Sequence, residues 1–223
     1  MSQGESTGRD LPTPAGAAGS PGRRRPGRSG PAKPAGSRDA GGRPEPGVAR
    51  QALLDAARAE FDEAGFEGTD TNRIARRAGY APQTFYRHFR DKTEIFVEIY
   101  KRWFDDEWRD LENAQAKGAE GAARVTLAHH ARHREFRRSL RRLTVTDPVV
   151  RTARAESRRR QVALLAAEDA ARGRERSDAT RIALLLAVER IADAAADGEL
   201  HDLGVTHEQE VAMLADVIRR FAR

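Results

Sequence analysis

Residues 71–92 place cationic and hydrogen-bonding side chains at helical spacing: Arg73, Arg76, Arg77, Gln83, Thr84, Arg87, His88 and Lys92, with Thr71 and Tyr86 beside them. Such groups suit a polyanion with readable edges. Arginine bonds bidentately to guanine and glutamine to adenine, whereas hydroxyl and ammonium groups at helix edges hold phosphate without reading sequence. Ile74, Ala75 and Ala78 share one face of a short helix, and Arg73, Arg76 and Arg77 fall away from it. Gly79 stands where a left-handed backbone stops that helix, and Pro82 where proline fits the first turn of the next. In the second helix, 82–89, Phe85 and Phe89 are four residues apart and plug a core. Gln83, Thr84, Arg87 and His88 then turn outward, with Tyr86 at the border. The layout is that of a helix-turn-helix reader of double-stranded DNA. Gln83, Arg87 and Tyr86 are the expected base contacts. Thr71, Thr84, His88 and Lys92 are the expected phosphate contacts, with Arg73 on the basic flank; Thr71 at a helix N-terminus adds oriented backbone amides.

The run Ile74-Ala75, Ala78-Gly79, Thr84-Phe85-Tyr86, His88-Phe89, then Lys92 and Glu94, resembles the DNA-binding domain of the tetracycline-repressor (TetR) family. Upstream, Leu53-Leu54-Asp55-Ala56-Ala57, Phe61 and Gly65-Phe66 are similar to that family's first helix, so the resemblance covers roughly residues 47–104. It departs at Ala81, where the family commonly has a serine that would cap the recognition helix. Gln83 stands where a small residue is frequent and adds a base-reading group. The resemblance implies a carboxy-terminal helical domain that binds a small effector and shifts the spacing of two DNA-reading heads.

The positions of the charges agree with this layout. The chain of 223 residues carries a formal net charge of +6. Residues 71–92 hold six Lys or Arg against the single acid Asp91, while residues 94–112 hold seven acids against three bases. A positive reading face followed by an acidic helix fits a DNA reader joined to a part that avoids DNA. With no cysteine there is neither a disulfide framework nor a thiolate site, and a cytoplasmic location is the easier fit. The longest apolar run, 182–188, is too short to cross a bilayer, and neither a signal peptide nor a twin-arginine leader is recognisable. No membrane association and no cofactor are expected.

The elements that must position these groups are all helical. Residues 1–46 form a Pro/Gly/Arg-rich tail: residues 1–47 contain eight of the ten prolines and eleven of the nineteen glycines, and Leu11 and Val48 bracket a span without large aliphatic or aromatic side chains. Such a segment cannot offset its ordering entropy by burial and is expected to be disordered. Its Gly22–Arg28 stretch reads as a solubilising tail in preference to a minor-groove arm. Residues 47–107 then form a three-helix DNA-binding domain and residues 108–223 a helical effector-binding and dimerisation domain, giving an all-α chain. Helices are expected over 48–64, after Lys92, over 122–143, from Asp147-Pro148 to about 172, over 178–196 from a Ser177 cap to Gly198, and from a Thr206/Gln209 capping box to 221. Thr144-Val145-Thr146 alone looks strand-like.

Outside residues 71–92 the chemistry is sparse. His129 and His133 could face one metal ion from a helix turn, but no intervening glutamate or thiolate completes a site, and no phosphate loop or nucleophile elbow is present. No metal site is therefore expected, and a metal-dependent enzyme or a sensor without DNA binding is the alternative. Residues 132–160 contain eleven arginines. Placing Phe136, Leu140 and Leu143 inward puts Arg134, Arg137, Arg138 and Arg141 on a solvated face, which is preferred over an anion-binding surface. An aromatic face at Trp103, Phe104 and Trp108, beside Phe136 and Leu140, is the expected site for a mostly apolar effector. A homodimer seam is expected from Leu184, Val188 and Ile191 of one helix and Val211, Leu214, Ile218 and Phe221 of the last, because a helix with two apolar faces needs two neighbours. The expected function is a ligand-responsive transcriptional repressor on a palindromic operator.

Overall fold

A computed structural model describes residues 46–114 and 117–222, which form ten helices and no strand. The tail expected to be disordered lies outside the described residues, apart from Pro46. In order the helices are α1 (Pro46–Ala64), α2 (Thr71–Arg77), α3 (Pro82–Tyr86), α4 (Lys92–Ala114), α5 (Gly118–Arg132), α6 (Arg134–Thr146), α7 (Pro148–Ala171), α8 (Asp178–Asp197), the single turn α9 (Glu199–Asp202) and α10 (His207–Ala222). Among the described residues, no helix is long and apolar enough to cross a membrane.

Local signals set most helix ends. Asp147 accepts from the amides of Val149 and Val150 to start α7, and Ser177 accepts from the amide of Thr180 to start α8. Thr206 and Gln209 exchange side-chain-to-amide bonds ahead of α10. Each satisfies donors that a helix N-terminus leaves open.

One expected helix divides in the middle of the chain, and a strand-like triplet joins a helix. The single helix over 122–143 is two, turning at His133, whose Nδ1 is 2.9 Å from Asp62 of α1. The strand-like Thr144-Val145-Thr146 is the last turn of α6, with the Thr144 and Thr146 hydroxyls bonded to the carbonyls four residues back. A lone β-branched triplet has no neighbouring strand to pair with, so the helix simply continues through it.

The main core joins α1 to α4 with α6 and α7. Leu53, Phe61, Ile74, Phe85, Phe89 and Ile95 pack with Phe96, Trp103, Phe104, Phe136 and Leu140. Phe96 and Phe136 stack with ring centres 4.6 Å apart, binding α4 and α6 together directly beneath the α1–α3 bundle. A second core of Ala123, Leu127, Ala192, Val211, Leu214 and Ala215 joins α5, α8 and α10. Val211 and Leu214 are thus filled in by their own chain, contrary to the expected dimer seam, because α5 covers the face of α10 that carries them. Val188, Ile191 and Ile218 pack partly on this core, Leu184 is partly buried, and the Phe221 side chain lies outside the described residues.

The arginine-rich α6 is covered on two sides, which corrects the solvated-face reading at Arg137; Arg134 and Arg138 are exposed as expected and Arg141 is half-buried. Phe136 and Leu140 face α1 and α4, while Arg137, 3% exposed, faces α8. Its Nε donates to Asp193 at 2.6 Å and its Nη2 to Glu189 at 2.8 Å. Arg138 and Arg141 reach Asp197 from the same helix. A helix covered on two sides cannot turn every polar residue to water, so the inward arginine needs buried acids opposite it.

Candidate DNA-reading surface and effector cavity

The helix-turn-helix is built from local chemistry. Asp70 caps α2 by accepting from the amide of Arg73 at 2.8 Å. Gly79, at φ +81°, lets the chain reverse so that the amide of Tyr80 bonds the carbonyl of Ala75 at 2.9 Å. Ala81 precedes α3 without a side-chain cap, and Pro82 occupies the first turn. Phe85 and Phe89 are buried with ring centres 5.7 Å apart, locking the rotation of α3. Gln83, Tyr86 and Arg87 are consequently exposed and His88 is half-buried; Tyr86 is 58% exposed.

Three expected contact residues sit differently. Thr84 is only 7% exposed and accepts from Nη2 of Arg87 at 3.2 Å. Lys92 does not reach outward: its Nζ donates to the carbonyls of Phe66 (2.6 Å) and Thr69 (2.8 Å) and lies 4.1 Å from the Phe66 ring centre. Burial there pushes its ammonium below the usual lysine range, against the pull of Asp70. Arg73 pairs with Glu60 at 3.1 Å and donates to the carbonyl of Gly68, so part of its charge is spent fastening α2 to α1. Arg77 does the same with Glu60 and Glu63. Thr71 shares a hydrogen bond of 2.9 Å with the Tyr86 hydroxyl, tying the start of α2 to the end of α3. Arg76 is left exposed on the outer side of α2.

The expected effector region contains a cavity of about 90 Å³. Trp103, Phe104 and Trp108 line it; Phe136 and Leu140 do not, since both are consumed by the packing of α6 on α1 and α4. Its wall also carries Glu107, His130, Arg137, Arg158 and Glu189, charged and polar groups that were not expected there. Glu107 continues the buried stripe of α4 one turn beyond Trp103, and an acid on an apolar stripe was the readable sign of a polar interior.

The charged wall is internally paired. His130 Nδ1 is 2.9 Å from Asp193, and its Nε2 is 3.5 Å from Glu107. Burial alone would raise both carboxyls, but His130 and Arg137 hold each of them well below the usual carboxylate range, with His129 adding to the effect on Glu107. Trp103 Nε1 is buried without a hydrogen-bond partner. The three histidines are all buried, and among the described residues no group of three or more His, Asp or Glu side chains is placed to hold a metal ion.

Residues 53–99, which hold the capped α2, the glycine turn and α3, match the family model for bacterial regulatory proteins of the tetR family. These residues form a DNA-binding domain of the TetR type. A helix-turn-helix transcriptional repressor of Corynebacterium diphtheriae, AcnR, is 30% identical over 117 residues, 52% of this chain and 60% of that repressor. A helix-turn-helix transcriptional regulator of Staphylococcus aureus is 39% identical over 56 residues, 25% of this chain and 30% of that one. The alignments therefore span less than two thirds of either relative. In fold, a transcriptional regulator from Rhodococcus sp. Rha1 superposes with a TM-score of 0.58 at 19% identity, over 79% of this chain and 95% of its own.

Proposed function

We propose that this protein is a TetR-family DNA-binding transcriptional regulator, acting in the cytoplasm as a ligand-responsive repressor on a near-palindromic operator. The observation that carries the reading is the rotation of α3: Phe85 and Phe89 are pinned in the core, which holds Gln83 and Arg87 out on one exposed face. An amide and a guanidinium fixed on one helix face can read adenine and guanine in a major groove. Arg76, Tyr86 and His88 flank them as phosphate or sugar contacts.

The cavity between α4 and α8 supports a response to a small molecule, since α4 lines it with Trp103 and Trp108 and packs under α1 with Phe96. A ligand that prefers one packing of α4 and α6 over another shifts the DNA-reading bundle by that preference and no more. Dimerisation through the outer faces of α8 and α10 would place two α3 helices on successive major grooves, about 34 to 36 Å apart.

The test is titration of the full chain with DNA from upstream of its own coding region against random duplex. Arg87→Ala should lose about 1 to 3 kcal/mol on the specific site and relax base discrimination there. Equal losses on specific and random DNA would remove Arg87 from base reading.

A further inference from the structure

The cavity described above is too small for a whole effector. Its 90 Å³ is about the volume of three waters, well short of the several hundred Å³ typical of ligand pockets. On the outside of α7 and α8 lies a second depression, of about 510 Å³, with Val162, Ala163, Ala166 and Ile182 among its walls. Arg158 and Leu185 line both spaces, so the inner cavity and the apolar outer groove adjoin at these two side chains. Ile182 is 45% exposed on that groove.

The charges at the junction are unbalanced. Glu189 faces three guanidiniums: Arg137 at 2.8 Å, Arg154 at 2.5 Å, and Arg158. Arg137 is also held by Asp193, and Arg154 also donates to the Thr144 hydroxyl. Among the described residues, Arg158 reaches an acceptor only through Nη2, and 27% of its side chain is exposed. The unfilled donors of this guanidinium therefore lie where the two spaces adjoin. A second donor, the unpartnered Trp103 Nε1, lines the inner side.

We propose that cavity and groove form one site for an amphipathic organic anion, with its carboxylate at Arg158 and its apolar tail along Val162, Ala166 and Ile182. The inference rests on the effector reading given above and specifies its chemistry. The carboxylate supplies the acceptor that the Arg158 fork lacks, in a cavity that Trp103 also lines, and the tail covers the apolar groove. Arg158 selects the head and the groove selects the tail.

Trp103 and Trp108 are the two tryptophans of the chain and both line the cavity, so intrinsic fluorescence reports on this site directly. The full chain is titrated, below micelle formation, with octanoate, decanoate, 1-decanol and decylammonium. Decanoate should bind at least about tenfold tighter than decanol or decylammonium, a charge-assisted bond against a neutral or repelled head. Octanoate should bind about sixteenfold more weakly than decanoate, near fourfold per methylene. Arg158→Gln should bring decanoate down to decanol, Arg158→Lys should keep a preference for the anion, and Ile182→Asp should weaken every probe.

Decanol or decylammonium binding as tightly as decanoate would overturn the anionic class, as would an undiminished preference in folded Arg158→Gln. Failure of all four probes would overturn the site itself. DNA binding is measured on the same samples without probe. Decanoate bound with the expected head preference but without effect on DNA affinity would uphold the site while removing the effector reading.

Discussion

The ammonium of Lys92 donates to the carbonyl oxygen of Phe66 at 2.6 Å, so the residue that opens α4 closes the loop behind α1. A second bond to Thr69 holds that loop at both ends. Removing a charged donor from two half-buried carbonyls costs about 2 to 3 kcal/mol. Lys92→Ala should lower the urea midpoint accordingly and leave the salt dependence of DNA binding unchanged. A salt slope reduced by about one phosphate contact, with stability intact, would return Lys92 to the duplex.

Asp193 and Arg137 give a pH signature. Burial opposes the charge on Asp193, but His130 and Arg137 overcome it and hold the folded-state value below the ordinary range. The stabilisation is then complete above the unfolded carboxyl value, about 3.9, and is lost as pH falls from there toward the lower folded value. At neutral pH, Asp193→Asn should cost about 3 to 5 kcal/mol, since it leaves buried Arg137 short of a partner. Urea midpoints should show that gap narrowing below pH ~4. A gap constant from neutral to strong acid would mean that Asp193 is not the titrating group.

The parts of the fold legible in the sequence were those set by neighbours a few residues away. The Ser177 cap, the Thr206–Gln209 box and the Gly79 turn each complete themselves within four or five residues. The phase of α3 was readable too, because Phe85 and Phe89 fix it. Arg137, Lys92 and Leu214 were misread for the opposite reason: their partners lie far away in sequence, on α8, in the α1–α2 loop and on α5. Periodicity says that a helix has a second covered face but not whether the cover is another helix of the same chain. Thr84 was missed on a finer scale: it directly precedes Phe85 and is buried with it.

The dimer face must be tested away from Leu214. Leu214 is fully buried within one chain, so Leu214→Glu should unfold the α5–α8–α10 core and say nothing about association. Leu184 and Val217 are only partly covered. Leu184→Glu combined with Val217→Glu should keep the helical content, halve the mass in solution and weaken binding to a full operator far more than to a half-site. A folded double variant that retains the wild-type mass would exclude these faces of α8 and α10.

The reading face itself is tested most directly by a hydroxyl-radical footprint of the full chain on DNA from upstream of its own coding region. Two protected patches are expected, related by a twofold axis and separated by about one helical turn, roughly 10 to 10.5 base pairs. Both patches should vanish in a folded Gln83→Ala/Arg87→Ala variant, at a salt concentration where random duplex is still bound. Protection that persists unchanged in that variant would contradict a reading of DNA by α3.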